Sequence, residues 1–191
     1  YRTIFFLPSI VPAVALSILW LWLLNPQYGL INVALRVVGL PGPGWLADPS
    51  WAKPSLVLMH LWGVGSTIVI FLAGLQDVPR QLYEAADIDG ARWWHRVRYI
   101  TIPMVTPVIL FNLIIGLINA FQYFTQAYVM TNGGPINATL FYALLLYRNA
   151  FQYIKMGYAS AMAWILFAVV LVCTLAVLWS SRRWVYYSGA R

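Results

Sequence analysis

Residues 83–107 read YEAADIDGARWWHRVRYITIPMVTP. The stretch holds three of the chain's five carboxylates, Glu84, Asp87 and Asp89, together with Arg92, His95, Arg96 and Arg98, and the sequence on either side is almost pure hydrocarbon. A polar island between two long apolar runs is the signature of a loop joining membrane-spanning helices. Its own chemistry is helical at the start. Pro79 suits a first turn, Glu84, Ala85 and Ala86 are good helix formers, and Gly90 offers the left-handed conformation that stops a helix. The two alanines leave the helix surface nearly bare, open to close approach by another body. From the residues alone, an ordinary solvated loop is the stronger explanation of the island, ahead of a docking helix.

The composition agrees with the membrane reading. The chain is 62% hydrophobic and only 9% charged, against about a quarter charged in ordinary globular domains. Ten Trp and twelve Tyr suit a chain that meets the bilayer interface. The net charge of +7 comes from basic residues at the ends of apolar runs, which is a topology and snorkelling pattern and not a nucleic-acid-binding face. A single cysteine, Cys173, lies inside an apolar run, so there is no disulfide framework. Residue 1 is Tyr, and the first apolar run starts almost at once; the expectation is a fragment of a longer chain.

Four spans are expected, each near the ~20 residues needed to cross the hydrocarbon: Thr3 to Leu24, Pro54 to Gln76, Met104 to Met130, and Met156 to Ser181. "TNGGP" at 131–135 is a strong turn signal, and the "INATLFYALLLY" that follows is too short to cross, so it should lie at or dip into the outer surface. Four spans put Arg2, Arg80, Arg92, Arg96, Arg98, Arg182, Arg183 and Arg191 on one side and Arg36, Lys53, Arg148 and Lys155 on the other. The larger basic set marks the cytoplasmic side, which makes the polar island and both ends of the chain cytoplasmic. Counting the short segment as a fifth span would turn the bias into five against seven. The external segment between the first two spans carries a short surface helix, "LINVALRVV", with Trp45 and Trp51 as interfacial anchors.

Spacing sharpens the reading of the island. Glu84-Ala85-Ala86, three residues, Gly90, nine residues, Ile100, one residue and Ile102-Pro103 resembles the EAA motif of ABC-importer permeases. The family pattern has Leu where this chain has Ile102, and many relatives have Phe in place of Val97. Further likenesses to the carbohydrate-uptake branch are "FLAGLQDVPRQLYEAADIDGA" (71–91), "FFLPSIVP" (5–12), "NPQYGLIN" (25–32), "MTNGGP" (130–135) and "GYASAMAWILF" (157–167); "WVYY" (184–187) is similar to the first of the two permeases in such systems.

The resemblance implies an all-α, polytopic transmembrane helix bundle, one permease domain over 1–191 lacking about two N-terminal helices, with a cytoplasmic coupling loop at 76–103. It implies that Glu84, Ala85, Ala86, Asp89, Gly90, Ile100 and Pro103 couple the chain to an ATPase. The implied partners are a second homologous permease, two cytoplasmic ATPase subunits, an external solute-binding protein and the lipid of a prokaryotic inner membrane, with no nucleic acid. The implied task is uptake of a carbohydrate or related polar solute by alternating access; glycerol phosphate or a polyol is the alternative within the class, and an uncoupled channel or scaffold the alternative outside it. No cofactor is expected on this chain, ATP being used by the partner. The chain has no phosphate-binding G-x-x-x-x-G-K-[ST] run, no H-E-x-x-H, and only His60 and His95 as histidines.

A route through the membrane is suggested by polar residues in the spans, which are costly when they face lipid. At roughly 100° per residue, Asn112, Gly116, Asn119, Tyr123 and Gln126 make one stripe on the third span, and His60, Gly63, Thr67 and Gly74 another on the second. Amides, hydroxyls and ring faces suit a sugar, yet the same residues also serve as glue between helices, and for any one of them packing is the stronger claim, the stripe as a whole being better evidence than any member. No Asp, Glu, Lys or Arg lies within the four expected spans, which argues against a proton or cation relay.

Overall fold

A computed structural model describes residues 2–186; Tyr187 and Arg191, used above in the motif and the charge count, lie outside the described residues. Every regular element in it is helical: α1 (Arg2–Ile10), α2 (Ala13–Leu23), α3 (Leu30–Val37), α4 (Pro49–Trp62), α5 (Gly65–Gln76), α6 (Arg80–Ile88), α7 (Trp93–Arg96), a π-turn (Val97–Thr101), α8 (Ile102–Phe121), α9 (Thr125–Met130), α10 (Tyr142–Tyr147), a second π-turn (Arg148–Gln152) and α11 (Met156–Ser181). Trp93–Met130 and Met156–Ser181 are each long and apolar enough to cross a bilayer alone; α1 with α2, and α4 with α5, pass that test only as bent pairs, so by length and composition there are two to four candidate spans among the described residues. The segment after "TNGGP" forms α10 and the second π-turn, at ~1.5 Å per residue far short of a ~30 Å crossing.

Two compact units divide the chain, one of Tyr1–Gly65 with Ala120–Leu166, the other of Ser66–Asn119 with Phe167–Arg191. In the first, the run expected as one span from Thr3 to Leu24 is bent by 104° between α1 and α2. Pro12 has no N–H to give and sits at φ −56°, ψ 139°, outside helical geometry, so the helix stops at Ile10 and restarts at Ala13. The bend seats α1 against the start of α5: a Cβ added to Gly65 would lie 2.0 Å from the Phe5 carbonyl oxygen. Beneath it Trp20, Leu24, Leu56, Met59 and Met130 form the buried core, with Ile31, Trp45, Tyr123 and Phe141 packed around it.

The segment between α2 and α4 folds onto that core around one amide. Asn32 of α3 is fully buried; its Nδ2 donates to the carbonyls of Pro26 and Pro43, each at 3.1 Å, and its Oδ1 accepts from Trp45 Nε1 at 2.7 Å. Ser55 Oγ of α4 closes the circuit by donating to the Trp45 and Trp51 carbonyls. Trp45 is therefore tied into the loop and packs edge-on against Trp51 at 5.3 Å. Asp48 caps α4, accepting from the Ser50 amide at 2.8 Å and from the Ser50 hydroxyl.

In the second unit α5 and α8 approach closely at Gly74, whose added Cβ would lie 2.5 Å from Val108 Cγ2. Buried Thr106 donates to the Pro103 carbonyl at 2.6 Å and accepts from the Tyr186 amide at 2.9 Å, which ties the C-terminal segment to the head of α8. Along α11, Trp164, Val172 and Trp179 are about two-thirds exposed, a surface suited to lipid or to a neighbouring subunit.

Candidate functional site

The polar island folds as the short helix α6, a tight corner and the head of a long helix. Asp89 closes α6, and Gly90 follows at φ +69° with nothing within 4 Å of where its Cβ would be. A glycine holds that left-handed corner at no steric cost. Glu84 and Ala85 are exposed, Ala86 is half-buried, and among the described residues Glu84 has no hydrogen-bonded or ionic partner. Leu82 is 40% exposed and Ile88 87% exposed. Ile100 and Pro103 are half-buried in the long helix.

That helix starts earlier than expected. The expected span starts at Met104, but the helical run begins at Trp93, and Pro103 sits well inside it. A proline there cannot donate to the carbonyl four residues back and clashes with it. The chain accommodates this with the π-turn Val97–Thr101 just ahead.

Two side-chain pairs cross the corner, and the sequence reading found neither. Arg96 Nη1 meets Asp87 Oδ1 at 2.5 Å, the side chains 32% and 56% exposed. The Tyr83 hydroxyl lies 2.9 Å from Thr101 Oγ1. Arg96 was expected to set topology and meet headgroups; in the fold it is also an ion-pair partner. The i, i+4 spacing of Tyr83 and Asp87 was visible in the sequence. The π-turn that aligns Arg96 with Thr101 was not.

Of the path residues, Asn112, Gly116 and Asn119 share one face of α8 in the second unit, while Tyr123 and Gln126 belong to the first unit. The expected five-residue stripe assumed one unbroken helix. The α-helix instead ends at Phe121 and restarts at Thr125, with Phe124 at φ −130°, ψ −61°, so the count of 100° per residue does not carry past Phe121. Tyr123 packs edge-on against Phe141 at 5.3 Å beside the core, and its buried hydroxyl has no hydrogen-bond partner among the described residues. Asn112 Nδ2 donates to the Val108 carbonyl one turn back at 2.9 Å, which leaves its Oδ1 uncommitted. Gly116 and Asn119 are exposed, and Gln126 is half-buried.

On the other stripe His60 is exposed in the last turn of α4, Gly63 caps that helix, and Thr67 is half-buried on α5. Gly74 makes the tight contact with Val108 and reads as packing.

The profile of one family, the binding-protein-dependent transport system inner membrane component, matches residues 1–186. The chain belongs to that family. Among curated proteins it is 44% identical over 193 residues to the probable ABC transporter permease YesP of Bacillus subtilis, covering 99% of this chain and 62% of that protein. It is 36% identical over 189 residues to the lactose transport system permease LacF of Rhizobium radiobacter, covering 96% and 63%. With the sulfoquinovosyl glycerol permease SmoG of Agrobacterium fabrum it shares 37% identity over 172 residues, covering 90% and 56%. The fold matches a chain in the crystal structure of a bacterial alginate ABC transporter in complex with alginate pentasaccharide-bound periplasmic protein, at TM-score 0.87 and 27% identity over 95% of this chain and 64% of that one. The chain thus spans less than two thirds of the length of these relatives, and it has the all-helical ABC permease fold.

Proposed function

We propose that the protein of which this chain is part is the membrane-spanning permease of an ATP-driven importer, moving a carbohydrate across the inner membrane by alternating access. The observation that carries the reading is α6: a short, exposed helix with a free carboxylate at Glu84, bare alanines and unpartnered Leu82 and Ile88, joined by a glycine corner to the head of a membrane-spanning helix. Such a surface suits insertion into a groove on a cytoplasmic ATPase, and residues 76–103 are its coupling loop. Glu84 pairs with a cation of that partner, Ala85 and Ala86 permit close approach, and Gly90 sets the corner; Asp89, Ile100 and Pro103 hold the frame. ATP is bound and hydrolysed by the partner.

The remaining partners in this reading are a second permease, this chain being the first of the pair, a second ATPase subunit and an external binding protein. Both ends of the chain are cytoplasmic; the bond between the Tyr186 amide and Thr106, beside the loop, supports this for the C-terminal end. His60, Gly63, Thr67, Asn112, Gly116, Asn119, Tyr123 and Gln126 contribute to the solute path. The names of LacF and of the alginate transporter support a saccharide, as does the absence of charge between Tyr99 and Tyr147 and between Met156 and Ser181. The likeness to SmoG favours a second reading, a glycerol- or polyol-containing solute.

The test is uptake in cells. Glu84→Lys or Gly90→Val leaves membrane insertion intact and abolishes both uptake and association with the ATPase. Normal uptake by either variant removes the coupling role.

A further inference from the structure

A coupling helix transmits force only if it cannot swivel on its own stalk. Nine residues of helix are too few to be held by their backbone alone, and α6 hangs from a corner at Gly90 whose backbone is the most permissive available. Something must fix its angle. The two side-chain pairs that cross the corner are placed to do so.

Their alignment follows from local geometry. Tyr83 and Asp87 are one turn apart on α6 and share a face. Arg96 and Thr101 are five residues apart, which in an α-helix would set them roughly 140° from each other. The π-turn Val97–Thr101 closes i to i+5, so the two come to one side; Thr101 Oγ1 lies 3.4 Å from the Arg96 carbonyl as well as 2.9 Å from the Tyr83 hydroxyl. Pro103, two residues on, is the reason for the π-turn. Tyr83 is half-buried on this face, as is its neighbour Ala86, while Asp87 is exposed; at ~100° per residue Ala85 and Ile88 fall on other sides of α6.

We propose that Asp87–Arg96 and Tyr83–Thr101 form a two-point latch, aligned by the π-turn ahead of Pro103, that locks α6 to the helix running from Trp93 so that the two move as one lever. The four side chains are positioning residues: none needs to touch the ATPase or the solute. The inference rests on the coupling role proposed above. Two pairs are needed because a partly exposed ion pair is weak by itself, and two separated contacts remove the swivel that one would leave.

The test uses the full-length transporter with its partner subunits in proteoliposomes, in a Cys173→Ser background with a reporter cysteine at the exposed Ala120, which is not among the path residues. The readout is the change in the reporter's rate of labelling by a thiol reagent when ATP and vanadate are added. Asp87→Arg or Arg96→Asp alone is expected to reduce that change by about two- to five-fold, the worth of a partly exposed ion pair, while ATPase association persists. The exchanged pair Asp87→Arg with Arg96→Asp restores it. Full ATP response in either single variant, or no recovery in the exchange, overturns the latch. Should the charge reversals fail to assemble, Tyr83→Phe removes one hydroxyl only; a reduced response supports the latch and an unchanged one overturns it. If the unaltered transporter itself binds no ATPase, the coupling role fails, a result distinct from loss of the latch alone.

Discussion

Gly74 of α5 and Val108 of α8 leave no room for a methyl group between them: a Cβ on Gly74 would sit 2.5 Å from Val108 Cγ2. Valine is stiff about χ1, so the clash is not relieved by a rotamer change. Gly74→Ala should destabilise the second unit by about 1–3 kcal/mol, the usual cost of overpacking, and Gly74→Ala with Val108→Ala should recover most of it. Thermal unfolding of the detergent-purified protein measures both, and equal melting of Gly74→Ala and the parent would contradict the contact.

Asn32 organises the segment between α2 and α4 through its bonds to Pro26, Pro43 and Trp45. Asn32→Leu leaves the Trp45 N–H and the Pro43 carbonyl without partners, the Pro26 carbonyl keeping its bond from Arg36 Nη2 at 3.1 Å, at about 1–3 kcal/mol for each buried group that water cannot reach. The expected outcome is local: faster proteolysis between Asn25 and Ser55, while α11 remains protected. Unchanged proteolysis would mean that the amide network is dispensable.

Asp48 gives the same segment an acid limit. Its hydrogen bonds from the Ser50 hydroxyl and amide hold the carboxyl below its ordinary value of 3.8. A carboxylate with a lowered folded pKa stabilises fully above the unfolded pKa, and the contribution is lost as pH falls through the folded value. Amide protection at the start of α4 should therefore fall on acidification below the ordinary carboxylate range, and Asp48→Asn should remove that dependence. Protection factors for residues 50–53 measured by hydrogen exchange at several pH values decide it; an identical acid profile in the variant would contradict the cap.

The solute path separates from packing by comparing Asn119 with Tyr123. Asn119 is exposed and makes no contact that the fold needs, so Asn119→Leu should lower uptake while leaving assembly and melting unchanged. Tyr123→Ala opens the packing against Phe141 and should cost about 3–5 kcal/mol, as large aromatic truncations do, whereas Tyr123→Phe isolates the hydroxyl. Unaltered uptake in Asn119→Leu would assign that side chain to packing.

Much of this architecture is legible in the residues. The apolar run lengths mark two clear spans, and the other two expected ones only as bent pairs; "LINVALRVV" gives α3, and the glycine at 90 sits at φ +69° where the island's helix had to stop. The bend between α1 and α2 is half legible: Pro8 and Pro12 announce an irregularity, but the angle depends on Phe5 meeting Gly65, a contact 60 residues away in sequence. The break at 122–124 has no local signal, since "AFQYF" contains neither Pro nor Gly; packing of Tyr123 on Phe141 and the core overrides the helical tendency. For Asp87 and Arg96 the charges were plain and the pairing was not, because it requires both the corner at Gly90 and the π-turn.

The central claim is that α6 docks on an ATPase. A cysteine at Ala85, on the exposed face of α6, should crosslink in native membranes to a cytoplasmic ATPase subunit when a short bifunctional reagent is added, and Glu84→Lys should abolish the product. No ATPase adduct from a full-length, membrane-inserted protein would contradict the account and return an uncoupled channel or scaffold to the front.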